Sequence, residues 1–196
     1  MKAKMGVFVW VLALVSSSFG TLVGDFEGGS LDGWAAETGS TVSTSAIGVT
    51  LGSGSMKLDF PSGGWGTKAG MDAMPYLAVL MAPGSKVVMD VSARSNDIPG
   101  YWGAIDILID CDGYWSGQAE QAISIGWTEY FTTQTYEFTI KDAAKTALAG
   151  ATYAGLKVFT NSGAGVLYID NVRIIPEPAS LVLLGLGGLS LIRRKR

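Results

Sequence analysis

Carboxylates are the titratable side chains this chain has most of. Its 196 residues carry 17 Asp and Glu, 14 Lys and Arg, one Cys and no His. Without His, the Ser-His-Asp, Cys-His and His-metal arrangements have no members to recruit. Carboxylate pairs remain: Asp106, Asp110, Glu120 and Glu129 could stand the roughly 5 to 10 Å apart that glycoside hydrolysis uses, although their spacing singles out no pair. Asp106, Asp110, Asp112 and Gly113 suggest a calcium loop, but an EF-hand frame with its glycine at Gly113 would start at Leu108 and end at Ala119, where a bidentate Glu is required. Asp112-Gly113 reads more simply as a hairpin turn. Cys111 continues the period of Ile105, Ile107 and Ile109 and reads as a small buried hydrophobe.

The aromatic residues offer a second chemistry. Trp65, Tyr101, Trp102, Tyr114 and Trp115 follow Gly- or Pro-containing segments, with Gln118 and Gln121 nearby. Flat rings stack on the apolar CH faces of sugars while a few polar groups hold the hydroxyls. By parity Trp102, Asp106 and Leu108 share the non-core face of one strand. Asp90, Ser92 and Arg94 should share the matching face of a neighbouring strand, completing a polar, partly aromatic surface. The alternative is that the rings plug the ends of the fold, as is expected of Trp34 and Trp127.

Short strands must position these groups. Alternating apolar residues mark Lys86 to Arg94, Gly103 to Cys111, Thr133 to Ile140 and Tyr153 to Asn161. Further strands are expected at Leu22 to Phe26, Ile47 to Leu51, Ser55 to Phe60, Trp65 to Met71 and Leu167 to Ile175. Gly and Pro turns separate them. Two short helical segments, Asp72 to Met81 and Asp142 to Leu148, are too small to form a layer. The pattern predicts an all-β fold, an antiparallel β-sandwich with short helical turns.

Both chain ends carry export features. Lys2 and Lys4 precede an apolar run from Met5 to Val15 and then small residues up to Gly20. This is a signal-peptide layout over residues 1–20, with too few apolar residues to span a membrane. The other end reads Pro176-Glu177-Pro178, an apolar stretch from Ala179 to Ile192, then Arg193, Arg194, Lys195 and Arg196. Fourteen helical residues reach about 21 Å, short of the roughly 30 Å hydrocarbon core. The basic end would hold this segment on the cytoplasmic side of the inner membrane. Setting aside the six basic residues of the two ends and Glu177 leaves 8 basic against 16 acidic side chains between them. That balance argues against nucleic acid as a partner.

This tail resembles the PEP-CTERM sorting signal of Gram-negative bacteria. The resemblance implies recognition of Pro176, Glu177 and Pro178 by an exosortase, a membrane cysteine protease, with Arg193 and Arg194 in the basic end. Processing near the triplet would accompany export to the cell surface, outer membrane or exopolysaccharide matrix. Residues 176–196 are thus set apart from a single domain at 21–175.

Within that domain, Asp25-Phe26-Glu27, Leu31-Asp32-Gly33-Trp34, Ser55-Met56-Lys57-Leu58 and Leu167-Tyr168-Ile169-Asp170-Asn171-Val172 look like the opening, early and closing strands of jelly-roll carbohydrate-binding modules of the galactose-binding-like fold. First and last strands that pair would bring Glu27 and Asp170 together, and two adjacent carboxylates call for a proton or a cation. The resemblance implies a structural calcium there, held by Glu27 and Asp170, with Asp25 and the Lys57 carbonyl as further ligands. Otherwise Asp170 and Asn171 merely cap a turn or kink a strand. The Glu-x-Asp-x-x-Glu pattern of jelly-roll glucanases does not occur. The expectation is an exported, non-catalytic polysaccharide-binding module. A surface structural or adhesive protein without a sugar site, and a carboxylate-dependent glycosidase or lyase, are the alternatives.

Overall fold

The computed structural model describes residues 20–61, 64–94, 97, 103–123 and 131–177. Its strands are β1 (Thr21–Gly24), β2 (Ala35–Ala36), β3 (Thr41–Ser45), β4 (Ser55–Phe60), β5 (Gly64–Asp72), β6 (Lys86–Ala93), β7 (Gly103–Cys111), β8 (Tyr114–Gly117), β9 (Gln121–Ala122), β10 (Thr132–Thr139), β11 (Gly155–Ser162) and β12 (Gly165–Ile175). Two helices, α1 (Leu77–Leu80) and α2 (Asp142–Leu148), accompany them. One sheet runs β10-β6-β12-β4-β3 with β1 also against β12. The other runs β2-β5-β11-β7-β8 with β9 also against β7. The described pairings are antiparallel, so the fold is the expected β-sandwich.

Period-two alternation builds the core. Val87, Met89, Val91 and Ala93 from β6 meet Ile105, Ile107, Ile109 and Cys111 from β7, joined by Tyr136 and Phe138 from β10 and Leu156 and Val158 from β11. Each such side chain contributes roughly 1.5 to 3 kcal/mol by leaving water. Trp34 is buried too and donates its indole N–H to the Val23 carbonyl at 3.1 Å, so it is a core plug as expected. Cys111 lies in the core, where burial first, and then the charges of Asp112 and Asp110, push its thiol up and away from nucleophilic use.

Two bulges decide which residues face out. In β11 and β5, Val158 pairs with Ala69 but Phe159 pairs with Thr67, leaving Lys68 as the extra residue. Odd positions Ala69 and Met71 face the core, whereas the extra residue turns Trp65 to solvent. In β12 the register against β6 slips between Asp170 and Arg173, and Asn171 takes φ 52°. Leu167 and Ile169 before the slip, and Val172 and Ile174 after it, therefore all reach the core.

The region from Ile47 to Leu51, expected as a strand, is a loop. The N–H groups of Thr50 and Leu51 are taken by the Asp170 carboxylate and so cannot join a ladder, and Gly48 has φ 73°. The strand in that region is β3, whose Thr41, Val42 and Thr44 are β-branched, and it pairs with β4. The first helical segment is likewise shorter than expected. Asp72 still belongs to β5, and its carboxylate accepts the Met74 N–H at 2.9 Å before a 3-10 turn at Met74–Tyr76 leads into α1. The second, Asp142–Leu148, has the expected bounds. Most of the expected signal peptide, Tyr101, Trp102, Trp127, Glu129 and the tail from Pro178, including Arg193 and Arg194, lies outside the described residues.

Candidate functional site

The outer face of the first sheet is occupied by the protein's own loop. Residues 46–54 lie across it: a Cβ on Gly48 would stand 2.4 Å from Tyr168 Cβ, and Thr50 and Leu51 are held by Asp170. Asp90 and Asp170 are directly opposite in register, and both are buried. The Thr50 hydroxyl lies 2.8 Å from Asp90 Oδ2 and 3.1 Å from Asp170 Oδ2. Thr135 and Asn171 also donate to Asp90, at 2.6 and 3.0 Å. Burial would raise the Asp90 carboxyl, but the bonds from Thr135, Asn171 and Thr50, with the Arg173 charge, hold it below the usual range.

This corrects the sequence expectation for Asp90 and Arg94. β6 and β7 belong to different sheets, so these two side chains do not join Asp106 and the Trp residues on one surface. Arg94 pairs instead with Asp97 at 3.1 Å and lies over the Phe131 ring, 5.0 Å from its centre.

The outer face of the second sheet carries the two most exposed aromatics among the described residues. Trp65 on β5 is 73% exposed and Trp115 on β8 is 59% exposed. Between them Phe159 on β11 meets each indole edge to face, with ring centres 5.7 Å from Trp65 and 6.3 Å from Trp115. Phe159 was missed in the sequence. Its signal is an aromatic residue out of phase with the core positions Leu156 and Val158, between Lys157 and Asn161.

Polar groups border this aromatic strip. Lys157 Nζ bridges Glu37 Oε1 and Asp110 Oδ2 at 2.9 Å each, and the Tyr153 hydroxyl lies 3.4 Å from Asp110 Oδ2. Burial works to lower the Lys157 ammonium, yet the bonds to Asp110 and Glu37 outweigh it and hold its pKa above the ordinary range. Its positive charge is thus spent inside the protein, and the border is slightly acidic.

Two other expected site residues are taken up by the protein's own contacts. Asp106 is on the non-core side of β7 as expected, but it is buried, and Oδ1 accepts the N–H groups of Gln118 and Ala119 at 3.0 and 2.8 Å. Burial pushes its carboxyl up despite these bonds. It anchors the chain after β8. Tyr114 pairs with Cys111 and packs against the core. Between them, Asp112 at φ 33° and Gly113 at φ 90° form the expected hairpin turn.

The expected metal residues separate into two groups. β1 pairs with β12, and Glu27 and Asp170 both reach the loop 50–54. Glu27 Oε1 accepts the Ser53 and Gly54 N–H groups at 2.6 and 2.9 Å, and Oε2 accepts the Ser53 hydroxyl at 2.7 Å. These bonds, from the Ser53 side chain first, lower the Glu27 carboxyl. Asp25 turns instead to the Glu27 N–H, at 3.3 Å, and Lys57 sits mid-strand in β4 between Ser43 and Tyr168. Its carbonyl therefore belongs to the ladder. Among the described residues no three acidic or Cys side chains converge as a metal cluster, and neither Glu27 nor Asp170 has a basic side chain in an ion pair. Both carboxylates are filled by N–H and hydroxyl donors, so a calcium ion here would have to displace them.

Comparisons with known proteins agree with this architecture. Residues 175–196 match the PEP-CTERM protein-sorting motif. No curated protein matches the chain. Among solved structures, the Caldicellulosiruptor saccharolyticus module CBM27-1 in complex with mannohexaose is 21% identical with a TM-score of 0.58, over 81% of this chain and 98% of that one. A CBM28 module specific for non-crystalline cellulose is 16% identical with a TM-score of 0.57, over 80% and 95%. The CBM22-1 xylan-binding domain of Paenibacillus barcinonensis Xyn10C is 12% identical with a TM-score of 0.55, over 80% and 94%. The chain therefore joins a β-sandwich similar in fold to these modules to a segment that matches the PEP-CTERM protein-sorting motif, which implies exosortase-dependent export toward the cell surface.

Proposed function

We propose that this protein is a non-catalytic glycan-binding domain that lays the outer face of its second sheet on polysaccharide at the surface, or in the exopolysaccharide matrix, of a Gram-negative bacterium. The observation that carries this reading is the pair of exposed indoles, Trp65 and Trp115, on either side of Phe159. Exposed aromatic area of this kind costs solubility and is usually kept for a ligand. Similar folds are described with xylan, mannohexaose and non-crystalline cellulose. The spent charge of Lys157 suits a neutral chain here.

Catalysis finds no support on this face. Among the described residues the one carboxyl pushed up by burial, Asp106, is shut in beneath backbone N–H groups. Affinity electrophoresis of the domain against soluble polysaccharides tests the reading. Retardation by one or two glycans, lost in Trp65→Ala and Trp115→Ala, is the expected result. No retardation by any glycan would favour the structural or adhesive alternative.

Calcium belongs to the same proposal as a stabiliser. Glu27 and Asp170 would hold it, and it would supply positive charge between the opening and closing strands. A chelator should then lower the melting temperature of the wild type and leave Asp170→Ala unmoved. A wild-type melt indifferent to chelator would remove the metal.

A further inference from the structure

β12 runs into the sorting triplet without a linker. Ile174 is fully buried, Ile175 still pairs with Lys86, and Pro176 follows at once. Glu177 then lies against the turn that precedes β6. Its N–H donates to the Pro83 carbonyl at 3.1 Å. Its side chain covers Gly84: a Cβ there would stand 2.6 Å from Glu177 Cβ and 2.8 Å from its Oε2. Gly84 also has φ 60°, so the turn uses glycine both for its left-handed backbone and for its bare surface. The start of β1 is close by. Thr21 pairs with Ile174, and a Cβ on Gly20 would stand 3.0 Å from Ile175 Cγ1.

The geometry points to the Pro83–Gly84 turn as a docking site for Glu177, by which the folded domain competes with the exosortase for its own sorting triplet. A protease that reads an extended segment needs the backbone groups and side chains of that segment. In the folded domain the Glu177 N–H and one side of its side chain are already engaged. Because Ile174 is anchored in the core, only the chain from Ile175 onward can be lifted, about 10 Å of extended backbone up to Glu177. Folding thus withholds the triplet until Glu177 leaves the turn. This inference rests on the sorting motif and is independent of the glycan-binding reading.

Gly84→Ala and Gly84→Asn in the full-length precursor test it. Both put a Cβ where Glu177 lies, whereas Asn tolerates the left-handed backbone much better than Ala. Amide exchange at Glu177 in the purified precursor should quicken about fivefold in both variants, as one ordinary hydrogen bond predicts. Pulse-chase in the producing cells should give a shorter half-time of conversion to the processed form in both. Wild-type exchange as fast as that of the variants would overturn the docking. Unchanged or slower conversion would overturn the withholding. A response of Ala alone would assign the effect to turn strain and overturn the proposal as well.

Discussion

Asp170→Ala tests whether one carboxylate holds the loop 46–54 on the first sheet. The substitution removes the acceptor of the Thr50, Leu51 and Asn171 N–H groups, at 2.6, 2.7 and 2.6 Å, and a contact to the Thr50 hydroxyl at 3.1 Å. Each bond to a charged acceptor is worth about 1.5 to 3 kcal/mol, so the three backbone bonds set an upper range of about 5 to 9 kcal/mol. Three terms reduce it. The variant no longer desolvates a charge, and it no longer faces Asp90 directly across the strand pair. Part of the loop can also turn its N–H groups to water. A net loss of about 3 to 5 kcal/mol remains, or roughly 8 to 15 °C in Tm for a domain of this size. Asp170→Asn keeps an acceptor oxygen and should lose less than half as much. Urea and thermal melts at pH 7 provide the measure. A loss under about 1 kcal/mol for Asp170→Ala would refute the pinning role, since a fully buried acceptor of three backbone N–H groups cannot be that cheap to delete.

Asp106 has a folded pKa above its unfolded value, so its ionised form weakens the fold at neutral pH and the penalty fades as pH falls through the raised value. Asp106→Asn should therefore match or exceed wild-type stability at pH 7 and lose that advantage by about pH 4, as Tm against pH will reveal. Asp90 has the opposite sign. Its lowered pKa contributes stability in full above about pH 4, lost as pH falls through the folded value, so Asp90→Asn should flatten the acid limb of the same curve. Trp65→Ala and Trp115→Ala should each weaken glycan binding about tenfold while moving Tm by only a few degrees, because both indoles are mainly exposed.

Alternation made the sandwich legible: Val87 to Ala93 and Ile105 to Cys111 announce their inward faces, and Asp112-Gly113 announces its turn. The two bulges were not legible. An unbroken period would send Trp65 inward with Ala69 and Met71, and only the extra residue Lys68 turns it out. Sheet membership was equally hidden. β6 and β7 adjoin in sequence, and no local signal tells a hairpin from a crossing between sheets, so Asp90 and Arg94 were grouped with Asp106. The Asp170-Asn171 pair was read as either a metal ligand or a kink. The kink is there, and the Asp170 carboxylate also holds a loop 120 residues away in sequence. Long-range hydrogen bonds of that kind have no sequence period to betray them.

The division between a covered first sheet and an open second sheet bears on valency. On the proposed glycan-binding reading, the face carrying Trp65 and Trp115 would let each molecule grip a polymer once, so a weak individual grip would gain strength through many copies fixed close together. Sorting to a common surface would provide that crowding. A polysaccharide strand lying across several displayed domains would then be retained far longer than any one of them could hold it, while single contacts still exchange rapidly.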